Sequence, residues 1–147
     1  MQVHIKTFDQ LTKEELYALL RLRSEVFVVE QDCVYQDLDG KDDKALHVLG
    51  KKEDILVAYT RIFDAGDYFS EASIGRVVVD KEERKHRYGK EIMEASIRAV
   101  QHYFNTPTIV VSAQAYLIKF YGSLGFEQVG DGYLEDGIPH IRMFKKA

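Results

Sequence analysis

Residues 77–93 read VVVDKEERKHRYGKEIM. Three β-branched residues give way to a short charged loop and then to a helical pattern. Upstream, SIGRVVVD at 73–80 is nearly continuous in apolar character, as expected of a strand covered on both faces. Downstream of Gly89, residues Ile92, Met93, Ser96, Ala99, Val100 and Tyr103 share one helix face, and Asn105 with Pro107 stops the helix. TIVVSA at 108–113 then returns to strand. Strand, helix and strand in this order form a βαβ unit, whose crossover makes the two strands parallel.

Working outward toward the N-terminus, LHVLGKK at 46–52 and ILVAYTRIFD at 55–64 read as a hairpin joined by Glu53 and Asp54. Before them, Thr12 and Glu15 make a capping-box pattern, and Leu16, Leu19, Leu20, Val26 and Phe27 set a helix over about 12–29. The acidic stretch QDCVYQDLDGKDDK between helix and hairpin reads as a solvated loop, long enough to be a binding segment. Toward the C-terminus, a helix over about 115–124 ends at Gly125, placed for a left-handed cap, and strands follow near 126–130 and 138–145. No repeat or linker interrupts residues 1–147, which read as a single domain.

Composition narrows the classes. Hydrophobic residues at 46% and charged residues at 30% give a globular balance. A net charge of −4 speaks against nucleic-acid binding, which needs a basic face. No run approaches the ~20 apolar residues that span a bilayer, and no targeting segment opens the chain, so no membrane contact is expected. Cys33 is the sole cysteine, which suits a reducing, cytoplasmic location and excludes an intramolecular disulfide or a cysteine zinc site. Standing in an acidic loop, it lacks the positive field that activates a thiol nucleophile.

The helix opening at 84–90 concentrates Arg84, Lys85, Arg87 and Lys90 where unpaired backbone N–H groups and the helix dipole favour a pyrophosphate. On spacing alone the same run also reads as a solvated basic helix start. It has neither the Gly-x-Gly of a dinucleotide fingerprint nor the Gly-Lys-Ser/Thr of a Walker loop. What it resembles is motif A of the GNAT acetyltransferases, Arg/Gln-x-x-Gly-x-Gly/Ala, with Arg84 first and Gly89 last, and with Arg87 where the family has its middle glycine. SAQAYLIKFYGSLGF at 112–126 is similar to motif B through Phe120, Tyr121, Gly125 and Phe126. RLRSEVFVVEQ at 21–31, the histidine of LHVLG and EDGIPHIRMFK at 135–145 resemble the ElaA-like branch, so the resemblance covers nearly the whole chain.

The resemblance implies an α/β (α+β) fold. Its sheet is mixed, largely antiparallel and twisted, with two central splayed parallel strands, about 73–80 and 108–114, flanked by helices. It also implies an N-acetyltransferase that uses acetyl-CoA. Pantetheine would lie against Val77, Val78 and Val79. The diphosphate would meet Arg84, Lys85, His86, Arg87, Tyr88, Gly89 and Lys90, with Gln114 also in contact. Tyr121 would protonate the departing thiolate, and no metal or covalent acyl-enzyme is needed. The alternative reading of Tyr121 is a core aromatic, since Leu117, Phe120, Tyr121 and Leu124 already make an apolar face.

For the base that takes the ammonium proton, Glu30, His47, Asp136 and His140 are all candidates. Arg23 and Arg61 are candidates for a substrate carboxylate, although Arg61, alternating with Tyr59 and Phe63, also fits an anchor for the acidic loop. Phe27 joins the substrate set. The acceptor is a small-molecule or peptide amine, with the acidic loop favouring a cation, and exposed strand edges fit a homodimer. The rival from another class is a CoA-binding sensor or scaffold without turnover.

Overall fold

The computed structural model describes residues 1–146. Seven strands, β1 (Gln2–Thr7), β2 (Leu46–Lys52), β3 (Ile55–Phe63), β4 (Ala72–Val79), β5 (Thr108–Gln114), β6 (Glu127–Glu135) and β7 (Ile138–Lys146), form one sheet in the order β1-β2-β3-β4-β5-β7-β6. Every neighbouring pair is antiparallel except β4–β5, which is parallel. This is the expected mixed sheet. Strand β1 was not anticipated: it offers only Val3 and Ile5 as an apolar alternation, and it adds to the edge of β2.

The β2–β3 hairpin turns on Glu53 (φ 53°) and Asp54 (φ 66°), both left-handed, which matches the twist that a two-residue hairpin requires. The β6–β7 hairpin repeats the device with Asp136 and Gly137. Strand β6 runs on to Glu135 rather than ending near 130, because the residues around Gly130 (φ 76°) bulge between the pairs Val129–Arg142 and Tyr133–His140 and pairing then resumes.

Helices α1 (Lys13–Arg23), α2 (Tyr88–Tyr103) and α3 (Ile118–Ser123) flank the sheet. Along β3, Ala58 and Ile62 face the core shared with Ile92, Met93, Ala99 and Val100 of α2. The alternate residue Tyr59 faces a second core with Leu19 and Leu22 of α1 and Val26 just beyond it. The two helices therefore cover opposite faces. Ser96 of α2 donates to the Ile92 carbonyl (2.7 Å) and shares a 2.6 Å hydrogen bond with Thr60, so the polar groups of this contact are satisfied without water.

Helix α1 opens with the expected capping box, Glu15 N–H to Thr12 Oγ1 at 3.0 Å and Thr12 N–H to Glu15 Oε1 at 2.9 Å. Lys6 and Lys51 also bind Glu15, which ties the helix to β1 and β2. A helix of 11 residues is marginal alone, since isolated helices need about 12–15 residues. Burial of Leu19, Leu22 and Val26, about 1.5–3 kcal/mol per large side chain, holds it in place. The chain then widens into a π-helical turn, Ser24–Glu30, in which Gln31 N–H reaches back to the Val26 carbonyl. No helix among the described residues is long and apolar enough to cross a membrane.

Candidate acyl-transfer cleft

Strands β4 and β5 pair only at Ala72–Ile109 and Ser73–Val110, then diverge. The opening is a cavity of about 550 Å3, within the range of about 300–1,000 Å3 typical of small-molecule sites. On its other side β4 is bulged. Tyr59 pairs with Val78 and Arg61 with Gly75, so Arg76 and Val77 together oppose Thr60. Arg76 carries the bulge at φ 49°. Val77, Val78 and Val79 line the cavity, where β4 has no partner strand beyond Ser73. The Val79 carbonyl accepts from Arg84 Nε at 3.3 Å.

At one end lies the start of α2. Its cap residue Arg87 is left-handed (φ 60°) and gives no side-chain cap. The first helical bond runs from Glu91 N–H to the Arg87 carbonyl, so the N–H groups of Tyr88, Gly89 and Lys90 have no acceptor within the helix. Gly89 lines the cavity. A Cβ there would sit 3.7 Å from Phe120 and 3.8 Å from Val79, ordinary contacts that narrow the floor without a clash.

The side chains of this segment diverge from the expected cluster. Only Arg84 reaches the cavity wall, and Glu30 of the π-helical turn holds it by two hydrogen bonds, at 2.5 and 2.8 Å. The Arg84 charge keeps the Glu30 carboxyl below its usual range. Lys85, His86, Arg87 and Lys90 are exposed outside the cavity, with His86 against Glu83. Tyr88 is a correction: its ring is buried in the α2 core, so only its backbone is offered to a ligand.

Tyr121 lines the middle of the cavity from α3, 5% exposed, with its ring edge-on to Phe120 and Phe126. Burial pushes its phenol pKa up, so it stays protonated at neutral pH. The side chain is packed in the core, as the alternative reading has it, and also lines the cleft. Gly125 takes the expected left-handed cap (φ 95°) that ends this helical segment. Across the mouth, Gln114 Nε2 donates to Gln31 Oε1 at 3.3 Å, and Phe27 lines the wall beside them.

At the other end, the β6–β7 hairpin brings in Glu135, Asp136, Ile138 and His140, facing Ser112 of β5 and an aromatic wall of Phe63, Tyr68 and Phe69. Phe63 and Tyr68 stack at 5.0 Å, and Phe69 meets Tyr68 edge-on. Cys33 also lines this region and donates to the Asp136 carbonyl at 3.4 Å.

Three of the expected substrate contacts are structural. Arg23 is fully buried, and its guanidinium is taken up by Asp37 Oδ2 (3.0 Å), Asp42 Oδ1 (2.7 Å) and the Asp37 carbonyl (3.0 Å). Arg61 borders the cavity, yet it is committed to Asp39 and Asp42 and so anchors the acidic loop. His47 is fully buried between the Tyr59 hydroxyl and the Asp42 carbonyl. A carbonyl only accepts, so Nε2 carries the proton and Nδ1 accepts from Tyr59. Burial pushes the His47 pKa down, and the ring stays neutral.

The acidic loop is solvated only in part, with Asp32 and Asp43 exposed. Asp37 and Asp42 are buried, and Arg76 completes the network: Nη2 donates to the Asp37 carbonyl at 3.0 Å, and Nε lies 2.8 Å from Asp37 Oδ1 without hydrogen-bond alignment. Three arginines thus match Asp37, Asp39 and Asp42, and the loop presents little net charge to a substrate. Sequence reasoning missed Arg76 and Glu135. A glycine inside a strand, Gly75, signals a bulge and was the clue to the first; its position beside the Asp136-Gly137 turn was the clue to the second.

A seven-stranded sheet parted between its only parallel pair, with an uncapped helix at one end of the gap, is the fold of the GNAT acetyltransferases. The sequence profile of the "Acetyltransferase (GNAT) domain" matches residues 8–147, and the chain belongs to that family. It is 44% identical to protein ElaA of Escherichia coli strain K12 over 95% of this chain and 92% of that protein. The crystal structure of Escherichia coli ElaA superposes with a TM-score of 0.91 over 99% of each chain at 40% identity. An acyl-CoA N-acyltransferase from Pseudomonas aeruginosa gives 0.90, also at 40% identity and over 99% of each chain. An aminoglycoside 6'-N-acetyltransferase complexed with coenzyme A shares the fold at 17% identity, with a TM-score of 0.71 over 97% of this chain and 96% of the other.

Proposed function

We propose that this chain transfers an acetyl group from acetyl-CoA to an amine by direct attack, with Tyr121 as the general acid. The observation that carries the reading is the parting of β4 from β5 with Tyr121 lining the gap. Acetyl-CoA supplies an acyl group activated as a thioester. The β4 edge at Val77, Val78 and Val79 offers backbone groups to pantetheine, and the free N–H groups at Tyr88–Lys90 face the diphosphate with the helix dipole behind them. Phe120, Leu117 and Gly89 line the cavity and help exclude water from the channel. An ammonium gives up one proton to a base, its nitrogen bonds to the acyl carbon, and the carbon–sulfur bond breaks. Tyr121 donates its proton to the departing sulfur and recovers one from the nitrogen, so one amide, one thiol and one released proton balance the reaction.

Tyr121→Phe tests the assignment, because it removes one hydroxyl and keeps the packing against Phe120 and Phe126. Single-turnover rates of thiol release should fall by about 10²–10⁴-fold, with CoA affinity and thermal stability close to the parent. Equal single-turnover rates would remove Tyr121 from the chemistry. A CoA-binding module without turnover would show a CoA-dependent rise in Tm and no thiol release with any amine.

A further inference from the structure

The charges that line the cavity do not cancel uniformly. Glu30 and Arg84 pair with each other, and Arg61 and Arg76 are held by the aspartates of the loop. What is left is at the β6–β7 hairpin. Glu135 faces Ser112 and His140, and Asp136 makes no ion pair among the described residues. The lining holds no cation free to receive a carboxylate.

His140 sharpens this. It is 7% exposed, and one ring nitrogen, Nδ1, lies 2.7 Å from the Ile138 carbonyl. A carbonyl has no proton to give, so Nδ1–H is the donor. The other ring nitrogen, Nε2, faces Glu135 Oε2 at 3.4 Å. Ser112 and Tyr133 aim the carboxylate: the Tyr133 hydroxyl bonds Ser112 Oγ at 2.5 Å, and Ser112 donates to Glu135 Oε1 at 3.3 Å. The same cavity is lined by Phe63, Tyr68 and Phe69, whose rings carry the Arg61 guanidinium over Phe63 and Tyr68 and the Arg142 guanidinium over Phe69.

We propose that the acceptor is a primary amine with an aromatic or other apolar substituent and no carboxylate. Its ammonium is received between His140 Nε2 and Glu135, and its apolar group packs on Phe63, Tyr68 and Phe69. This rests on the acetyltransferase reading. His140 Nε2 takes one proton from the ammonium and Glu135 stabilises the imidazolium, which leaves a neutral amine for the transfer described above; the proton then passes to solvent.

The test compares phenethylamine, L-phenylalanine and ethanolamine as acceptors in a CoA thiol-release assay. Phenylalanine adds a carboxylate to phenethylamine, and ethanolamine replaces the aryl group by a hydroxyl. Phenethylamine should exceed both in kcat/KM by about tenfold or more, the scale of one charge-assisted contact or one buried apolar group. Glu135→Gln should raise KM for phenethylamine on the order of tenfold with CoA affinity unchanged. Tyr68→Ala should raise KM for phenethylamine and leave ethanolamine alone. Equal or better use of phenylalanine, or an unchanged KM in Glu135→Gln, overturns the proposal. So does bound CoA with no turnover of phenethylamine. If CoA fails to bind at all, the acetyltransferase reading itself falls.

Discussion

Replacing Arg23 by methionine tests whether the acidic loop is held by buried charge. Arg23 is fully buried and makes three hydrogen bonds, to Asp37 Oδ2, Asp42 Oδ1 and the Asp37 carbonyl. Burial disfavours its charge, and the hydrogen bond to Asp42 with the charges around it more than compensates. Methionine approximates the length of the aliphatic stem and removes the guanidinium. Asp42 keeps Arg61 at 3.0 Å, and Asp37 keeps Arg76 and the Tyr35 hydroxyl, yet three carboxylates would then share two guanidiniums out of water. Removing one partner of a buried ion pair costs about 3–5 kcal/mol, and the surviving partners set the expectation near the lower figure. At about 2–4 °C per kcal/mol for a chain of this size, Tm should fall by about 6–12 °C. Arg21→Met, on an exposed face of the same helix, should change stability by no more than about 0.5 kcal/mol. In a double-mutant cycle, Asp37→Asn should be less costly in the Arg23→Met background than in the parent, with a coupling of about 0.5–3 kcal/mol. Additive effects, or a Tm loss below about 2 °C, would show that the loop is not held by this network.

Two further outcomes follow from other charge contacts. For Glu15 and Asp39, burial alone would raise the carboxyl pKa, but hydrogen bonds from Lys51 and Lys6, and from Arg61, outweigh it and bring both to about 2. A lowered folded-state pKa contributes stability that is present above the unfolded value and lost as pH falls. The urea midpoint should therefore hold from neutral pH down to the ordinary carboxyl values of 4.5 and 3.8, then drop toward about 2; a midpoint flat to that pH would contradict these pairings. At the cleft, Glu30 occupies the one arginine of the 84–90 segment that lines the cavity, so Glu30→Gln should tighten CoA binding by up to about fivefold, the scale of a partly exposed ion pair. Calorimetry with CoA decides, and weaker binding would mean that Glu30 orients Arg84 for the ligand instead of competing with it.

Local chemistry made much of the fold legible. The β-branched runs marked β2, β3, β4 and β5 to within a residue or two at each end, and Glu53-Asp54 marked a hairpin without any glycine. Where the reading went astray, the deciding contact was remote. Strand β1 exists because the β2 edge was open, which nothing in QVHIKT announces. The glycines at 130 and 132 look like the end of a strand and instead mark an irregularity within one. In the site, Tyr121 could be placed from its motif and Arg61 already fitted a loop anchor, whereas the aspartates that each arginine meets could not be read. Arg23 meets Asp37 and Asp42 across 14 and 19 residues, and Arg61 meets Asp39 across 22. Composition sees three aspartates as a repelling surface, and only the fold shows that they face inward onto three guanidiniums.

That inward loop connects the two ends of the cleft. A bulky residue at positive φ inside a strand costs about 1–2 kcal/mol, and Arg76 at φ 49° has to be held there. Its guanidinium is held by Asp37 and Asp39, and its face lies 5.7 Å from the centre of the Tyr35 ring. The same Asp37 is fixed by Arg23 from α1, and Asp39 is fixed by Arg61 from β3. A change at any of these residues should reach the bulge, and through it the Val77–Val79 edge where pantetheine is proposed to lie. Arg61 also sits over the Phe63 and Tyr68 rings, at 5.1 and 5.4 Å, so the aromatic wall proposed for the acceptor hangs on the same anchor. Loss of the network should therefore weaken CoA binding and acceptor KM together. A variant that unfolds the loop and disturbs only one of the two would separate the bulge from the wall and break this connection.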